Sequence, residues 1–315
     1  MITILGAGGA ISNELAIRLA AAQQPFRLVG RTPAPSPTAR EVVSADLTDR
    51  DQAFRAVAGS SIVFLLVGLK YDRKVWTEQW PRIMSNTVEA CKQANARLVF
   101  FDNVYMYGRA NSPMTEETPF NPVSRKGEVR ARIASSLIDA WKSGSLTAMI
   151  ARCADFYGPH AANGLPNALV FDPLSKGKPA NCLASDALPH SYTYTPDAAE
   201  ALLKLAATES AWNQTWHLPT TPNPPTGKQF IEMAAAAMGV KPKYRILGPA
   251  MLWMGGLFNP VVGEVREMLY QNNAPYLFDS SKYAHAFGFT GTPYADGIRA
   301  TAKSYQSSHG SVPSA

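Results

Sequence analysis

Residues 4–12 read ILGAGGAIS, and the glycines of this stretch are Gly6, Gly8 and Gly9. They stand between an apolar run, which predicts a strand, and a segment with helical periodicity. A tight turn at this point brings backbone N–H groups and a helix N-terminus against a pyrophosphate. The small residue Ser12 stands where a third glycine would let helix and strand pack closely. The stretch predicts the first strand, turn and helix of a dinucleotide-binding fold, with a purely structural turn as the alternative.

Outward from this turn, the first half of the chain alternates between apolar runs and helical patterns. The run at 61–67 (SIVFLLV) is typical of a strand that is buried on both faces. The other predicted strands are 2–5, 26–30, 41–46, 97–101 and 146–151, and the predicted helices are 12–23, 49–58, 73–95 and 124–143. This alternation predicts an α/β Rossmann fold with a doubly wound parallel sheet.

After residue 155 the pattern loosens, and prolines and glycines multiply. Helical patterns remain at 197–208, 227–238, 261–271 and 294–305. We expect an NADP-binding Rossmann domain over 1–155 and about 190–218, a smaller substrate-binding region over about 156–189 and 219–306, and a flexible tail at 307–315.

Composition narrows the classes of function. The 315 residues are 46% hydrophobic and 17% charged, which fits a globular protein with a real core. The net charge is +6, but the sequence has no long run of lysine or arginine, so no nucleic-acid partner is indicated. A phosphate-bearing ligand explains the positive charge equally well. The three cysteines form no CxxC motif and no histidine pair has metal-ligand spacing, so we expect no disulfide framework and no metal. We see no signal peptide and no spanning segment, and we expect a cytoplasmic protein without membrane contact.

The second predicted strand ends in VGRTP (29–33), which bears on the choice of cofactor. An acidic residue here would bond the ribose 2′-hydroxyl of NAD, but the chain has Gly30 and then Arg31. An arginine suits the 2′-phosphate of NADP, and a solvated arginine without a ligand is the alternative. We expect NADP(H) as the preferred cofactor, with NAD(H) possible. The other expected cofactor contacts are Gly6, Gly9, Ala10, Ile11, Asp46, Leu47, Val67, Gly68 and Lys126.

Three further motifs follow in order: DNVYMYG at 102–108, RCADFYGP at 152–159 and TYTPDAAEALL at 193–203. Together with the glycine turn they resemble the extended branch of the short-chain dehydrogenase/reductase superfamily, the NAD-dependent epimerase/dehydratase family, over roughly residues 1–305. The resemblance implies a Rossmann sheet, a C-terminal substrate domain and a site at the carboxyl ends of strands four to six. It also implies a serine or threonine after strand five and a Tyr-x-x-x-Lys pair on the next helix, in which the tyrosine transfers a proton.

The chain departs from that catalytic set. Lys126 takes the lysine position and would hold the nicotinamide ribose, but Pro122 stands four residues before it and cannot transfer a proton. Asn103 takes the serine or threonine position, where it would polarise a substrate oxygen. Val104 occupies a place that is acidic in the dehydratases, which argues against dehydration.

Tyr105 follows on the same loop, and we predict that it is the substitute proton donor. The alternatives are that Tyr105 only packs in the loop and that Tyr157, a water molecule or Lys126 itself acts. Tyr107 and His217 are more simply explained as structural.

Asp155 stands where many family members look to have an asparagine that binds a nucleotide-sugar diphosphate, and the alternative is that Asp155 caps a turn and contacts no ligand. A carboxylate there would repel a pyrophosphate by roughly 1 kcal/mol or more. Tyr157, His160 and His190 are further candidate substrate residues, with ordinary packing as the alternative for each.

We therefore expect an NADP(H)-dependent oxidoreductase that acts on a small carbonyl or hydroxyl compound, as a monomer or homodimer. An epimerase or isomerase with retained cofactor, and a non-catalytic dinucleotide sensor, are the alternatives.

Overall fold

The computed structural model describes residues 1–110, 113–258 and 260–309. The chain divides into two compact units. The first unit comprises Met1–Gly108, Thr118–Cys153 and Ala198–Leu218. The second unit comprises Arg109–Glu117, Ala154–Asp197 and the described residues from Pro219 onward.

Strands and helices follow one another along the chain. The strands are β1 (Ile2–Leu5), β2 (Phe26–Gly30), β3 (Glu41–Ser44), β4 (Ile62–Leu65), β5 (Arg97–Asp102), β6 (Ala148–Arg152), β7 (Asp155–Tyr157), β8 (Ala180–Leu183), β9 (Tyr192–Tyr194), β10 (Thr215–His217) and β11 (Tyr244–Leu247). The helices are α1 (Ala10–Ala21), α2 (Arg50–Val57), α3 (Arg73–Ala94), α4 (Arg125–Lys142), α5 (Asp172–Ser175), α6 (Thr195–Ala207), α7 (Gly227–Met238), α8 (Pro249–Phe258), α9 (Pro260–Glu267), α10 (Ser281–Phe287) and α11 (Tyr294–His309).

A parallel sheet of seven strands organises the first unit, in the order β10-β6-β5-β4-β1-β2-β3. Leu5, at the end of β1, stands opposite Val29 of β2 and Leu65 of β4. The chain leaves β1 toward β2 and β3 and then returns to β4 on the other side of β1, which creates a topological switch point between β1 and β4. The predicted α/β fold with a doubly wound parallel sheet is confirmed.

The central strands of this sheet are buried because most of their side chains are apolar on both faces. Val63, Phe64 and Leu65 of β4 are fully buried, as are Leu98, Val99 and Phe100 of the adjacent β5. Leu5 and Phe100 belong to one hydrophobic cluster together with residues of α3 and α4, such as Trp80 and Ile133. Because these strands are parallel, their carboxyl ends lie at one edge of the sheet, and the loops that follow them carry the polar residues.

The second unit contains two short parallel strand pairs, β7 with β9 and β8 with β11. Its core is aromatic, with Tyr157, Phe171 and Phe230 packed against α11 through Tyr294 and Ile298. The helix α11 runs to His309, beyond the expected start of the tail at Ser307, and residues 310–315 lie outside the described part of the chain. Over the described residues, the helices lack the combination of length and apolar character that crossing a membrane requires.

Candidate active site

The turn after β1 is shaped for a close approach of backbone to ligand. Gly6 has a φ of +114°, and a Cβ there would lie 2.7 Å from the carbonyl carbon and oxygen of Leu66, so only glycine fits. Gly9 is the N-cap of α1 and gives the helix no side-chain cap. Ala10 and Ile11 begin the helix, so their N–H groups have no partner inside it. These amides and the positive end of the helix fit a pyrophosphate.

The end of β2 lies directly beside this turn. The N–H groups of Gly6 and Ala7 both donate to the carbonyl oxygen of Val29, at 2.8 and 2.9 Å. Arg31 follows Gly30 and is exposed, and its carbonyl oxygen accepts a hydrogen bond from Ser44 Oγ at 2.7 Å. Arg31 therefore follows β2 directly, at the strand end that lies beside the glycine turn.

The loops after β3 and β4 carry four more of the expected cofactor residues. Asp46 Oδ1 accepts hydrogen bonds from the backbone N–H and the Oγ1 of Thr48, at 2.9 and 2.8 Å, so the carboxylate shapes the turn. Leu47 is buried, and its carbonyl oxygen accepts from Asn86 Nδ2 at 2.9 Å. Val67 is half-buried and Gly68 is exposed, and the backbone of Val67 packs against Gly6. The structure therefore brings Val67 and the glycine turn together.

Asn103 is held by hydrogen bonds at the end of β5. Its backbone N–H donates to Asp102 Oδ1 at 2.8 Å, and its own Oδ1 accepts from the N–H of Tyr105 at 3.0 Å. A short 3₁₀ turn, Tyr105–Tyr107, follows. Because Oδ1 is engaged by the backbone, Nδ2 is the atom of Asn103 that is suited to donate to a ligand.

Two phenols and an ammonium group meet in the first unit, and we call Tyr71, Tyr105 and Lys126 the phenol–lysine cluster. Lys126 is fully buried, and its Nζ lies 4.5 Å from the centre of the Tyr71 ring. The hydroxyl oxygens of Tyr71 and Tyr105 are 3.4 Å apart. Trp76 of α3 packs against both rings, stacked on Tyr105 and edge-on to Tyr71. Cation and phenols in this arrangement can stabilise negative charge on a phenol oxygen.

Tyr71 was missed in the sequence analysis. The available signal was its position in the loop after β4, one residue before Asp72, which caps α3. Because β4 and β5 are parallel neighbours, their following loops meet at one edge of the sheet. A tyrosine in the loop after β4 was therefore a candidate neighbour for the loop after β5.

The start of α4 places Lys126. Ser124 is the N-cap, and its Oγ accepts from the N–H of Gly127 at 3.0 Å. A Cβ at Gly127 would lie 2.6 Å from the carbonyl oxygen of Tyr105 and 3.1 Å from Cβ of Pro122. The loop that carries Tyr105 thus packs on the backbone of α4 next to Lys126.

Behind this edge lies a chain of buried polar side chains, which we call the buried arginine network: Asp102, Tyr107, Arg130, Arg152 and His217. Arg130 Nε donates to Asp102 Oδ1 at 2.7 Å, and Arg152 Nε lies 3.5 Å from Oδ2. Arg152 Nη1 donates to the hydroxyl of Tyr107 at 2.6 Å, and that hydroxyl lies 2.8 Å from His217 Nε2. The phenol oxygen of Tyr107 therefore links the Arg152 guanidinium to the His217 ring.

Asp155 and His190 come together in the second unit. His190 Nε2 lies 2.9 Å from Asp155 Oδ2, although 35 positions separate the two residues in sequence. Tyr157 points instead into the aromatic core, where burial and then the neighbouring Tyr294 raise its pKa well above the ordinary value. His160 is exposed, in a left-handed backbone conformation with φ of +56°.

Comparison with known proteins gives a family and a set of similar folds. Residues 2–216 match the sequence model of the NAD dependent epimerase/dehydratase family. Sequence comparison with curated proteins gives no significant match. The UDP-glucose 4-epimerase of Thermus thermophilus, solved with NAD, has a TM-score of 0.80 at 18% identity over 99% of both chains.

Two further solved structures share the fold. The UDP-glucose 4-epimerase of Thermotoga maritima, solved with UDP-glucose, has a TM-score of 0.80 at 15% identity over 98% of this chain and 99% of that one. The dTDP-glucose 4,6-dehydratase of Streptomyces venezuelae, solved with NAD, has a TM-score of 0.79 at 16% identity over 98% of each chain. At such identities the likeness shows the fold alone, whereas the sequence match spans most of this chain. The chain belongs to the NAD-dependent epimerase/dehydratase family.

Proposed function

We propose that this protein is an NADP(H)-dependent oxidoreductase that acts on a small carbonyl or hydroxyl compound. The family match and the fit of the glycine turn support a nicotinamide dinucleotide as cofactor. The phenol–lysine cluster is the observation that carries the proposal, because it supplies phenol and ammonium groups although Pro122 stands where the family has its tyrosine. The exposed Arg31 beside the glycine turn supports NADP(H) over NAD(H).

Each residue of the proposed site has its own role in the reaction. The bound dinucleotide would supply or accept a hydride. Asn103 Nδ2 donates to the substrate oxygen and polarises it. The Tyr105 hydroxyl gives a proton to that oxygen or takes one from it, and the adjacent Tyr71 hydroxyl can pass the proton on. The buried charge of Lys126 stabilises the negative charge that develops on the phenols, and its ammonium group would also hold the nicotinamide ribose.

The test is turnover in tyrosine variants of the full chain. Substrate-dependent NADPH oxidation would be followed by absorbance with a panel of aldehydes, ketones and enones. Tyr105→Phe should lower kcat by about 100-fold or more, the contribution typical of a positioned acid or base, while NADPH binding by calorimetry stays unchanged. Tyr244→Phe, which alters a tyrosine of the second unit bonded to Asp186, is the matched control and should leave kcat unchanged. Full activity in Tyr105→Phe would rule out the assigned role.

Epimerisation with retained cofactor is the second candidate, and the family match favours it. An epimerase returns its hydride to the product, so the dinucleotide should stay bound through purification without net oxidation. A non-catalytic sensor is the third candidate, which the loss of the tyrosine to Pro122 favours. A sensor would bind NADP⁺ and NADPH and consume neither. The absorbance of the purified protein shows whether the dinucleotide is retained, and the absorbance in the panel assay shows whether it is oxidised, so the two measurements separate oxidoreductase, epimerase and sensor.

A further inference from the structure

A narrow cleft opens within the second unit, and we call it the Asp155 cleft. Asp155 and His190 lie on its wall. Most of the remaining wall is aliphatic or aromatic, including Leu169, Leu188 and Phe230. A wall of this kind favours a ligand with a large apolar part.

The charge on the wall is unfavourable for a phosphate. Among the described residues that line the cleft, Asp155 is the one carboxylate, and none is a lysine or an arginine. Burial raises the pKa of the Cys182 thiol on the same wall to about 11, so that group is neutral at pH 7. A phosphate would therefore meet a carboxylate and no fixed cation.

The Asp155 carboxylate is held in one orientation and keeps an acceptor atom available. The ring of His190 stacks on Tyr276, with centres 4.2 Å apart and planes 9° apart, and its backbone N–H donates to the carbonyl oxygen of Pro225. His190 in turn fixes Asp155 Oδ2 at 2.9 Å. In the described part of the chain, Oδ1 of Asp155 receives no hydrogen bond. A ligand hydroxyl can supply the missing donor.

We propose that the Asp155 cleft binds an uncharged, largely apolar compound whose hydroxyl group donates to Asp155 Oδ1. The inference goes beyond the proposed function, because it names a ligand class for a cleft of the second unit: an apolar hydroxyl compound in place of a nucleotide sugar. Binding at the cleft needs neither turnover nor dinucleotide, so it can be measured separately.

The test uses four naphthalene probes of one ring size in calorimetric titrations of the full chain without dinucleotide. They are 1-naphthol, 1-methoxynaphthalene, 1-naphthyl phosphate and 1-naphthylmethylamine. We expect 1-naphthol to bind about tenfold more tightly than the methoxy compound, which lacks the donor, and about 100-fold more tightly than the phosphate. The amine should bind less tightly than 1-naphthol, because its ammonium group loses more hydration energy than a hydroxyl does on entering a largely apolar cleft.

Two variants decide whether the cleft is the site. Asp155→Asn should reduce the preference for 1-naphthol over 1-naphthyl phosphate by about tenfold or more, because it removes the repelling charge. Asp172→Asn removes an exposed carboxylate of α5 in the same unit and should leave the preference unchanged. If Asp155→Asn does not fold, Leu188→Asn on the partly exposed wall should weaken 1-naphthol binding about tenfold.

Several outcomes would overturn the inference. Phosphate or amine binding as tight as that of 1-naphthol would do so, as would an unchanged preference in Asp155→Asn or the absence of binding by every probe. NADPH titration of the same samples tests the proposed function independently. Probe binding without NADPH binding would refute the proposed oxidoreductase and support the ligand class of the cleft. NADPH binding without probe binding would refute the ligand class of the cleft and leave the proposed oxidoreductase standing.

Discussion

Replacing Tyr107 with phenylalanine removes one oxygen atom from the buried arginine network and keeps the ring. That oxygen accepts from Arg152 Nη1 at 2.6 Å and bonds His217 Nε2 at 2.8 Å. A hydrogen bond to a charged group stabilises by about 1.5–3 kcal/mol and a neutral one by about 1 kcal/mol. Arg152 is 1% exposed and His217 0%, so water cannot take the place of the phenol oxygen without rearrangement. We expect Tyr107→Phe to lower the free energy of unfolding by about 3 kcal/mol.

Tyr157→Phe is the matched control. Tyr157 is equally buried, at 1% exposure, but its hydroxyl has no hydrogen-bond partner among the described residues. Removing that hydroxyl should cost nothing and can stabilise the fold by about 1 kcal/mol, since an unsatisfied buried polar group is lost. Urea unfolding followed by both tryptophan fluorescence and far-UV circular dichroism shows whether the two units unfold together. A cost below about 1 kcal/mol for Tyr107→Phe, or one no larger than for Tyr157→Phe, would refute the assigned strength of the network.

Three further predictions concern single sites. Arg31→Ala should weaken NADPH binding by about 10- to 100-fold and leave NADH binding unchanged, since only the 2′-phosphate loses a charged partner; calorimetry measures both. Gly127→Ala should lower turnover and destabilise the fold by about 1–3 kcal/mol, whereas Gly248→Ala, where a Cβ meets nothing within 4 Å, should change neither. Burial raises the pKa of Cys91 from 9.0 to about 12, so the native thiol should resist iodoacetamide at pH 8.5. Because its folded pKa is raised, the contribution of Cys91 to stability is present below pH 9 and is lost as the pH rises toward 12, which urea titrations at pH 8 and 10.5 would detect.

Much of the first unit could be predicted because its strands are buried on both faces and its helices are amphipathic. The strands at 2–5 and 26–30 have the predicted bounds, and the helix predicted at 73–95 ends one residue earlier. These elements are defined by local periodicity, which a single sequence displays. The glycine turn was recognisable because Gly6 meets a local steric demand, at the backbone of Leu66.

The second unit could be predicted only in its longer helices. Its strands are three or four residues long, too short to show a period of two, and β8 pairs with β11 across a long stretch of chain. The side-chain contacts of the candidate sites could not be predicted either, because they join residues that are far apart in the sequence. Tyr71 and Tyr105 are 34 positions apart, and Asp155 and His190 are 35 apart. Such pairs depend on tertiary packing, which no local pattern reports.

The expected replacement of the tyrosine by Pro122 and the presence of Gly127 are linked by geometry. In a Tyr-x-x-x-Lys arrangement one helical turn holds phenol and ammonium together, because residues four apart share a face. Here the ammonium is on α4 and the nearby phenols are on the loops after β4 and β5, so two loops and a helix must be held against one another. The carbonyl group of Tyr105 packs on Gly127 and so holds the loop after β5 against α4. A Cβ at Gly127 would lie only 2.6 Å from that carbonyl oxygen. Gly127→Ala therefore keeps every phenol and ammonium group in the protein and changes only the distances between them. Loss of turnover with NADPH binding retained would show that the phenol–lysine cluster acts through its position, and unchanged turnover would show that the chemistry does not depend on this loop.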